Sequence, residues 1–147
     1  MAEVTRVVNA PVDRVFAVLE DGWSYSDWVV GTAHIKGVEA DWPQEGSNLW
    51  VRTGIWPFDV PGHTLSLECD PPTRLVLRPT LWPAGELTVT LQLSEISDTK
   101  TRLTLEEHPK AGPLQGMRVK LNDLVLHKRN VESVRRLADI AERRRSD

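Results

Sequence analysis

Met117–Asp147, MRVKLNDLVLHKRNVESVRRLADIAERRRSD, contains neither glycine nor proline, and no other part of the sequence runs so long unbroken. Apolar residues fall at Met117, Leu121, Leu124, Val131, Val134, Ala138 and Ala141, in steps of three, four or seven. That spacing is the stripe of an amphipathic helix, with Glu, Lys and Arg on the other faces. If the helix starts near Leu114, just after Pro113, it has about thirty residues and spans roughly 45 Å at ~1.5 Å per residue. The usual helix averages about eleven or twelve residues. A helix of this length holds its shape only when its stripe is buried, so the rest of the chain is expected to supply a surface for it.

Working outward, the 147 residues are enough for one domain, 1–147, that buries about two thirds of its unfolded surface around a single core. A charged fraction of 27% and a hydrophobic fraction of 40% are globular. The longest run of like charge is Arg143–Arg145, placed in the last helical turn where cations complement the helix dipole. With a net charge of -3, no nucleic-acid partner is expected. Met1–Asn9 has no apolar run of signal-peptide length, and no segment approaches about eighteen consecutive apolar residues, so a soluble cytoplasmic protein without a membrane span is expected. Cys69 is the single cysteine, which excludes an internal disulfide and a zinc site built from several thiolates; a small buried hydrophobe is its expected role.

From the N-terminus, Glu3–Asn9 is rich in Val and Thr without a helical period and reads as a first strand. Pro11 then opens a helix in which Val12, Val15, Phe16 and Leu19 share one face and Asp13 lies in the first turn; Gly22 ends it. Trp23–Gly31 reads as a short second helix or turn. From Thr32 to His108 the period changes to two, and turn residues recur at intervals of about ten residues. The candidate strands are Ala33–Ala40, Ser47–Ile55, His63–Cys69, Arg74–Arg78, Glu86–Ile96 and Thr101–His108. All ten prolines are expected at or beside the ends of elements. The clearest alternation is Leu87, Val89, Leu91 and Leu93 against Thr88, Thr90, Gln92 and Ser94, one dry face and one wet.

The order is therefore strand, two short helices, six strands and a long terminal helix. Together with Asn9-Ala10-Pro11-Val12-Asp13-Arg14-Val15-Phe16 at the front and His127–Leu137 at the back, it resembles the polyketide cyclase/dehydrase group of the START-like, or SRPBCC, superfamily. The resemblance covers nearly the whole chain. It implies an α+β helix-grip fold: a curved seven-stranded antiparallel sheet wrapped around the C-terminal helix, with two short helices between strands 1 and 2 and a cavity between sheet and helix. The superfamily includes lipid carriers, hormone receptors, aromatase/cyclases and ATPase activators, so it implies a pocket rather than a particular reaction.

Candidate ligand-binding residues follow from that pocket. Trp42, Trp56 and Trp82 each precede a proline in a loop, where they would either rim a cavity mouth or cap the core; Trp56-Pro57-Phe58 is the best placed to form a gate. Trp23, Tyr25 and Trp28 belong to the short helices that close one end of the cavity in this fold, with core packing the alternative for Trp28. His127 follows Leu124 by three residues and precedes Val131 by four, which puts it at the edge of the stripe as a candidate acid or base that Asp123 would orient; a wet helix-surface pair is the alternative. Trp50 and Arg52 alternate with Leu49, Val51 and Thr53, and sequence alone leaves open which set faces inward. An inward Trp50 would bind ligand, and Arg52 and Arg78 would then hold an enolate or carboxylate. His34, His63 and His108 lack metal-type spacing, so no metal and no cofactor are expected.

Three functions remain open at this stage. The first is binding of a small hydrophobic or amphipathic molecule such as a lipid, polyketide or aromatic compound. The second is an aromatase/cyclase-like enzyme acting on a polyketide-like substrate through polar wall residues. The third is a protein-partner module that works through an exposed apolar patch, as monomer or homodimer.

Overall fold

The computed structural model describes residues 2–55, 58–81, 85–111 and 120–143, with the side chains of 2, 33, 53–55, 58–60, 81, 85, 109–111 and 120–126 outside the description. Strand β1 (Ala2–Val8) leads to helix α1 (Val12–Glu20), a 3-10 turn at Gly22–Ser24 and the one-turn helix α2 (Tyr25–Trp28). Six strands follow: β2 (Thr32–Val38), β3 (Asn48–Ile55), β4 (Phe58–Asp70), β5 (Arg74–Leu81), β6 (Gly85–Ser97) and β7 (Lys100–Ala111). Helix α3 (Lys120–Arg143) comes last. The strands form one antiparallel sheet in the order β1-β7-β6-β5-β4-β3-β2. Consecutive hairpins build it from β2 to β7, and β1 closes it by pairing with β7 from Ala2 opposite Glu107 to Val8 opposite Thr101.

Alternation decides the two faces. In β7, Thr101, Leu103, Leu105 and Glu107 are buried, and in β6, Leu87, Leu91 and Leu93 are. Gln92 and Ser94 are exposed between them, as the sequence pattern requires. Leu49, Leu75 and Leu77 extend the inner face, and Val134, Leu137, Ala138 and Ala141 of α3 pack into the same core as Val15, Phe16, Val18 and Leu19 of α1. Burying a side chain of this size contributes about 1.5–3 kcal/mol. The core therefore supplies the surface that the long helix needs. A polar clasp is added near its C-terminal end, where the backbone N–H of Asn9 donates to Glu142 at 3.0 Å.

Two expectations are corrected. The helical stripe does not run through Val131, which is exposed; the buried residues of this turn are Asn130, Ser133 and Val134. Polar residues occupy the inward phase here, so a stripe drawn from apolar residues alone drifts off it. Prolines also enter the strands: Pro61 pairs opposite Arg52, Pro79 opposite Thr64 and Pro109 opposite Leu87. Each sits where a ladder is interrupted. Pro61 precedes the first β4–β5 pair at His63, Pro79 falls in the gap of β5–β6 pairing between Leu77 and Thr80, and Pro109 lies at a register shift and past the last β1–β7 pair. A missing N–H costs little at such places.

Aromatic residues pack the end of the core beside α2. Tyr25 lies 4.8 Å from Trp28 and 5.6 Å from Trp42, centroid to centroid, the latter edge-on. The Tyr25 hydroxyl and the Trp42 indole both donate to the Leu19 carbonyl, at 2.8 and 3.3 Å, satisfying a helix-end acceptor. Trp42 therefore caps the core rather than rimming a mouth. Burial holds the Tyr25 phenol neutral, far above its ordinary value.

Candidate functional site

Between the inner face of the sheet, α2 and α3 lies a cavity of about 120 Å³. Its apolar wall comes from the inward positions of four strands: Leu49 and Val51 of β3, Leu77 of β5, Leu87 and Val89 of β6, and Leu105 of β7. Trp28 lines it from α2, and the chain then turns into β2 through Gly31, whose φ of 100 suits a residue without a Cβ.

Thr32 of β2, His63 and Thr64 of β4 and Thr80 of β5 also line the cavity, and its charged pair comes from β7 and α3. Glu107 is the next inward residue after Leu103 and Leu105, so the same alternation that buries the leucines places a carboxylate inside, 2% exposed. Arg129 of α3 reaches across and donates from Nη2 to both carboxylate oxygens, at 2.8 and 2.5 Å. Nη2 also approaches Oδ1 of Asn130 at 3.4 Å. One turn further along the helix, Ser133 Oγ accepts from the Val30 N–H at 3.0 Å, which ties the segment after α2 to α3. Glu107, Arg129, Asn130 and Ser133 all line the cavity. Three buried nitrogens in this lining lack a hydrogen-bond partner: Nε1 of Trp28, Nε of Arg129 and Nδ2 of Asn130. Each is enclosed by protein, where buried donors are normally satisfied.

The residues proposed from sequence are distributed unevenly around this cavity. Trp28 lines it and is 3% exposed. Trp23, 58% exposed, and Trp50, 44% exposed, are not part of the lining. The inward set of β3 is Leu49 and Val51, so Trp50 and Arg52 belong to the outer face. Arg78 is flanked by the lining residues Leu77 and Pro79 but is not in the lining itself. His127 is exposed and also outside the lining. Trp56, Pro57 and Trp82 lie outside the described residues, as do the side chains of Phe58, Asp123 and Leu124. Glu107, Arg129, Asn130 and Ser133 were missed, although a charge in the inward phase of β7 could have been read from Leu103, Leu105 and Glu107.

Residues 9–141 match the family model of the Activator of Hsp90 ATPase homolog 1-like protein. The chain belongs to this family. No curated protein matches it. Among solved structures, a protein of Nitrosomonas europaea superposes with a TM-score of 0.73 at 18% identity, covering 97% of this chain and 94% of that one. The Zhui aromatase/cyclase from Streptomyces sp. R1128 superposes at 0.70 with 20% identity, covering 97% and 93%. A protein of Chromobacterium violaceum does so at 0.71 with 17% identity, covering 95% and 96%. At these identities the likeness is one of fold, and the fold is the START-like helix grip. Family and fold are consistent with binding of a hydrophobic ligand. Among the described residues, no helix is long and apolar enough to cross a membrane, and no cluster of His, Cys, Asp and Glu could hold a metal ion.

Proposed function

We propose that this protein binds a small, mainly apolar molecule in the cavity between its sheet and α3. The observation that carries this reading is the lining itself: an apolar wall from Leu49 to Leu105, interrupted on the sheet by Thr32, His63, Thr64 and Thr80, with the Glu107–Arg129 pair, Asn130 and Ser133 on the side of β7 and α3. Binding pockets have this composition because apolar area supplies affinity while a few fixed polar groups supply orientation. The family and the aromatase/cyclase likeness support the same reading. Catalysis is the weaker alternative. Glu107 is the one carboxylate of the lining and is already engaged by Arg129, His63 is its one imidazole, and His127, Arg52 and Arg78 are not in it.

Native mass spectrometry of gently purified protein, before and after denaturation, tests the proposal. A releasable small molecule that is absent from a folded Val89→Phe variant, in which the larger ring fills the cavity, supports it. A clean protein mass, with no change in the Trp28 indole signal during incubation with small aromatic compounds, sinks it.

A further inference from the structure

How a ligand passes in and out of the cavity is a question that rests on the binding reading above, and the rims of the cavity answer it. On the sheet side His63, Pro79 and Thr80 line the cavity while staying half-buried, and the ladders hold them: His63 pairs opposite both Trp50 and Thr80, and Pro79 opposite Thr64. The other side is irregular chain between α2 and β2. Val29, Val30, Gly31 and Thr32 all line the cavity, yet Gly31 is exposed and the other three are half-buried. This segment is therefore cavity wall and molecular surface at once.

Its backbone is a turn that holds together by itself. The Thr32 N–H donates to the Val29 carbonyl at 3.2 Å, the closing bond of a β-turn. Gly31 has a φ of 100, and no non-glycine residue described has a positive φ, so the turn is type II with Val30 in its second position. A Cβ built on Gly31 would meet nothing within 4 Å, so no atom stands against the turn on that side. The Val29 N–H closes back on the Tyr25 carbonyl at 2.9 Å, at the end of α2. These bonds are local and can travel with the turn.

One bond of the turn is not local. The Val30 N–H donates to Ser133 Oγ of α3 at 3.0 Å, across 103 residues of sequence. Ser133 is 4% exposed, beside the buried apolar run of Val134, Leu137 and Ala138. A hydroxyl is costly to bury among such neighbours without a partner, and Val30 supplies one. Because both groups meet water once such a bond opens, its net effect on an equilibrium is about three- to tenfold. That biases the turn toward the helix without locking it there.

We propose that the Val29–Thr32 turn is the gate of the cavity and that the Val30–Ser133 bond holds it shut. Lifting the turn breaks this bond, keeps the local ones and opens the cavity beside Trp28. Passage in either direction needs the open state, so the association and dissociation rates both scale with its population.

The two ends of the bond can be removed separately in the full chain. Ser133→Ala deletes the acceptor. Val30→Pro deletes the donor and suits the backbone: proline is favoured in the second position of a type II turn, and Val29, at φ -78 and ψ 110, already has the extended conformation of a residue before proline. The probe is fluorobenzene, its exchange followed by 19F NMR. Each variant is expected to raise the association and dissociation rates together by about three- to tenfold, and the double variant to be no faster than the faster single, because the two changes break one bond. A second readout needs no ligand. Nε1 of Trp28 is enclosed without a hydrogen-bond partner, so its proton exchanges with solvent deuterium when the enclosure opens. Both variants should speed that exchange severalfold more than they speed exchange of the core Leu91 amide. Rates or indole exchange unchanged in both variants, a rise confined to dissociation, or multiplying effects in the double variant would overturn the gate while leaving the cavity as a binding site. Failure of fluorobenzene to bind the wild type would overturn the binding reading and the gate with it.

Discussion

Replacing Arg129 by methionine removes the cation of the buried pair and keeps much of the aliphatic stem, so what it reports is the stranding of Glu107. That carboxylate is 2% exposed and takes both of its hydrogen bonds from Arg129, whereas the Arg129 side chain is 30% exposed and can still reach water. The two partners are thus unequal. Breaking a buried pair by removing one member costs about 3–5 kcal/mol when the charge left behind is enclosed. Arg129→Met is expected near the lower end, about 3 kcal/mol, since the cavity beside Glu107 can admit some water. For a domain of this size, that lowers the melting temperature by roughly 6–12 °C. Glu107→Gln leaves instead a guanidinium that is partly hydrated, and should cost only about 1 kcal/mol. In the double variant no charge is stranded, so its loss should fall at least 1 kcal/mol short of the sum of the single losses. Urea denaturation at pH 7, followed by circular dichroism, measures all three. If Glu107→Gln proves the more damaging change, or if the two losses add within about 0.5 kcal/mol, the asymmetry argument fails and the pair is not a coupled, enclosed unit.

Three further outcomes are expected. A Cβ added at Gly22 would stand 2.7 and 3.0 Å from the Val38 methyls and 3.2 Å from the Trp42 ring, so Gly22→Ala should lose about 1–3 kcal/mol in the same urea assay; a neutral result would mean that this corner is loosely packed. Glu132 accepts hydrogen bonds from Arg135 and Arg136, which lower its ionisation from the ordinary 4.5 to about 2, so its stabilising contribution is full above pH 4.5 and is lost as pH falls toward 2. Acid titration of wild type against Glu132→Gln should give curves that converge across that interval, and parallel curves would refute the assignment. Tyr25 is the one tyrosine in the chain, and burial raises its ionisation above the ordinary 10.0, so the stability it contributes is present below pH 10 and declines above it. Absorbance at 295 nm should therefore report tyrosinate only as the protein unfolds at alkaline pH, and a titration near pH 10 with the fold intact would contradict the burial of Tyr25.

Much of the architecture was legible because apolar period and turn chemistry point the same way along this chain. The alternation from Leu87 to Leu93, the Pro11 start of α1 and the length of the last helix each report on burial or backbone geometry, which neighbours in sequence largely determine. Strand ends were less legible. β4 begins at Phe58 and β5 reaches Leu81, beyond Pro61 and Pro79, because a proline is tolerated wherever one of its neighbouring ladders is already broken. That circumstance depends on the partner strands.

The site was the least legible part, and the reason is physical. A stripe drawn from hydrophobic residues finds where burial is apolar, whereas a site is made where polar residues occupy inward positions. On α3 the apolar reading chose Val131 and, with it, His127, both of which are exposed; the inward positions of those turns are held by Asn130 and Ser133. On β7 the count of two from Leu103 and Leu105 arrives at Glu107, a residue that pattern reading assigns to the wet side by its charge alone. The two errors have a common origin and locate the same place. Glu107 costs too much to enclose without a counter-charge. The helix that crosses it must therefore present a cation one residue off its own buried stripe, and Arg129, beside Asn130, is that residue.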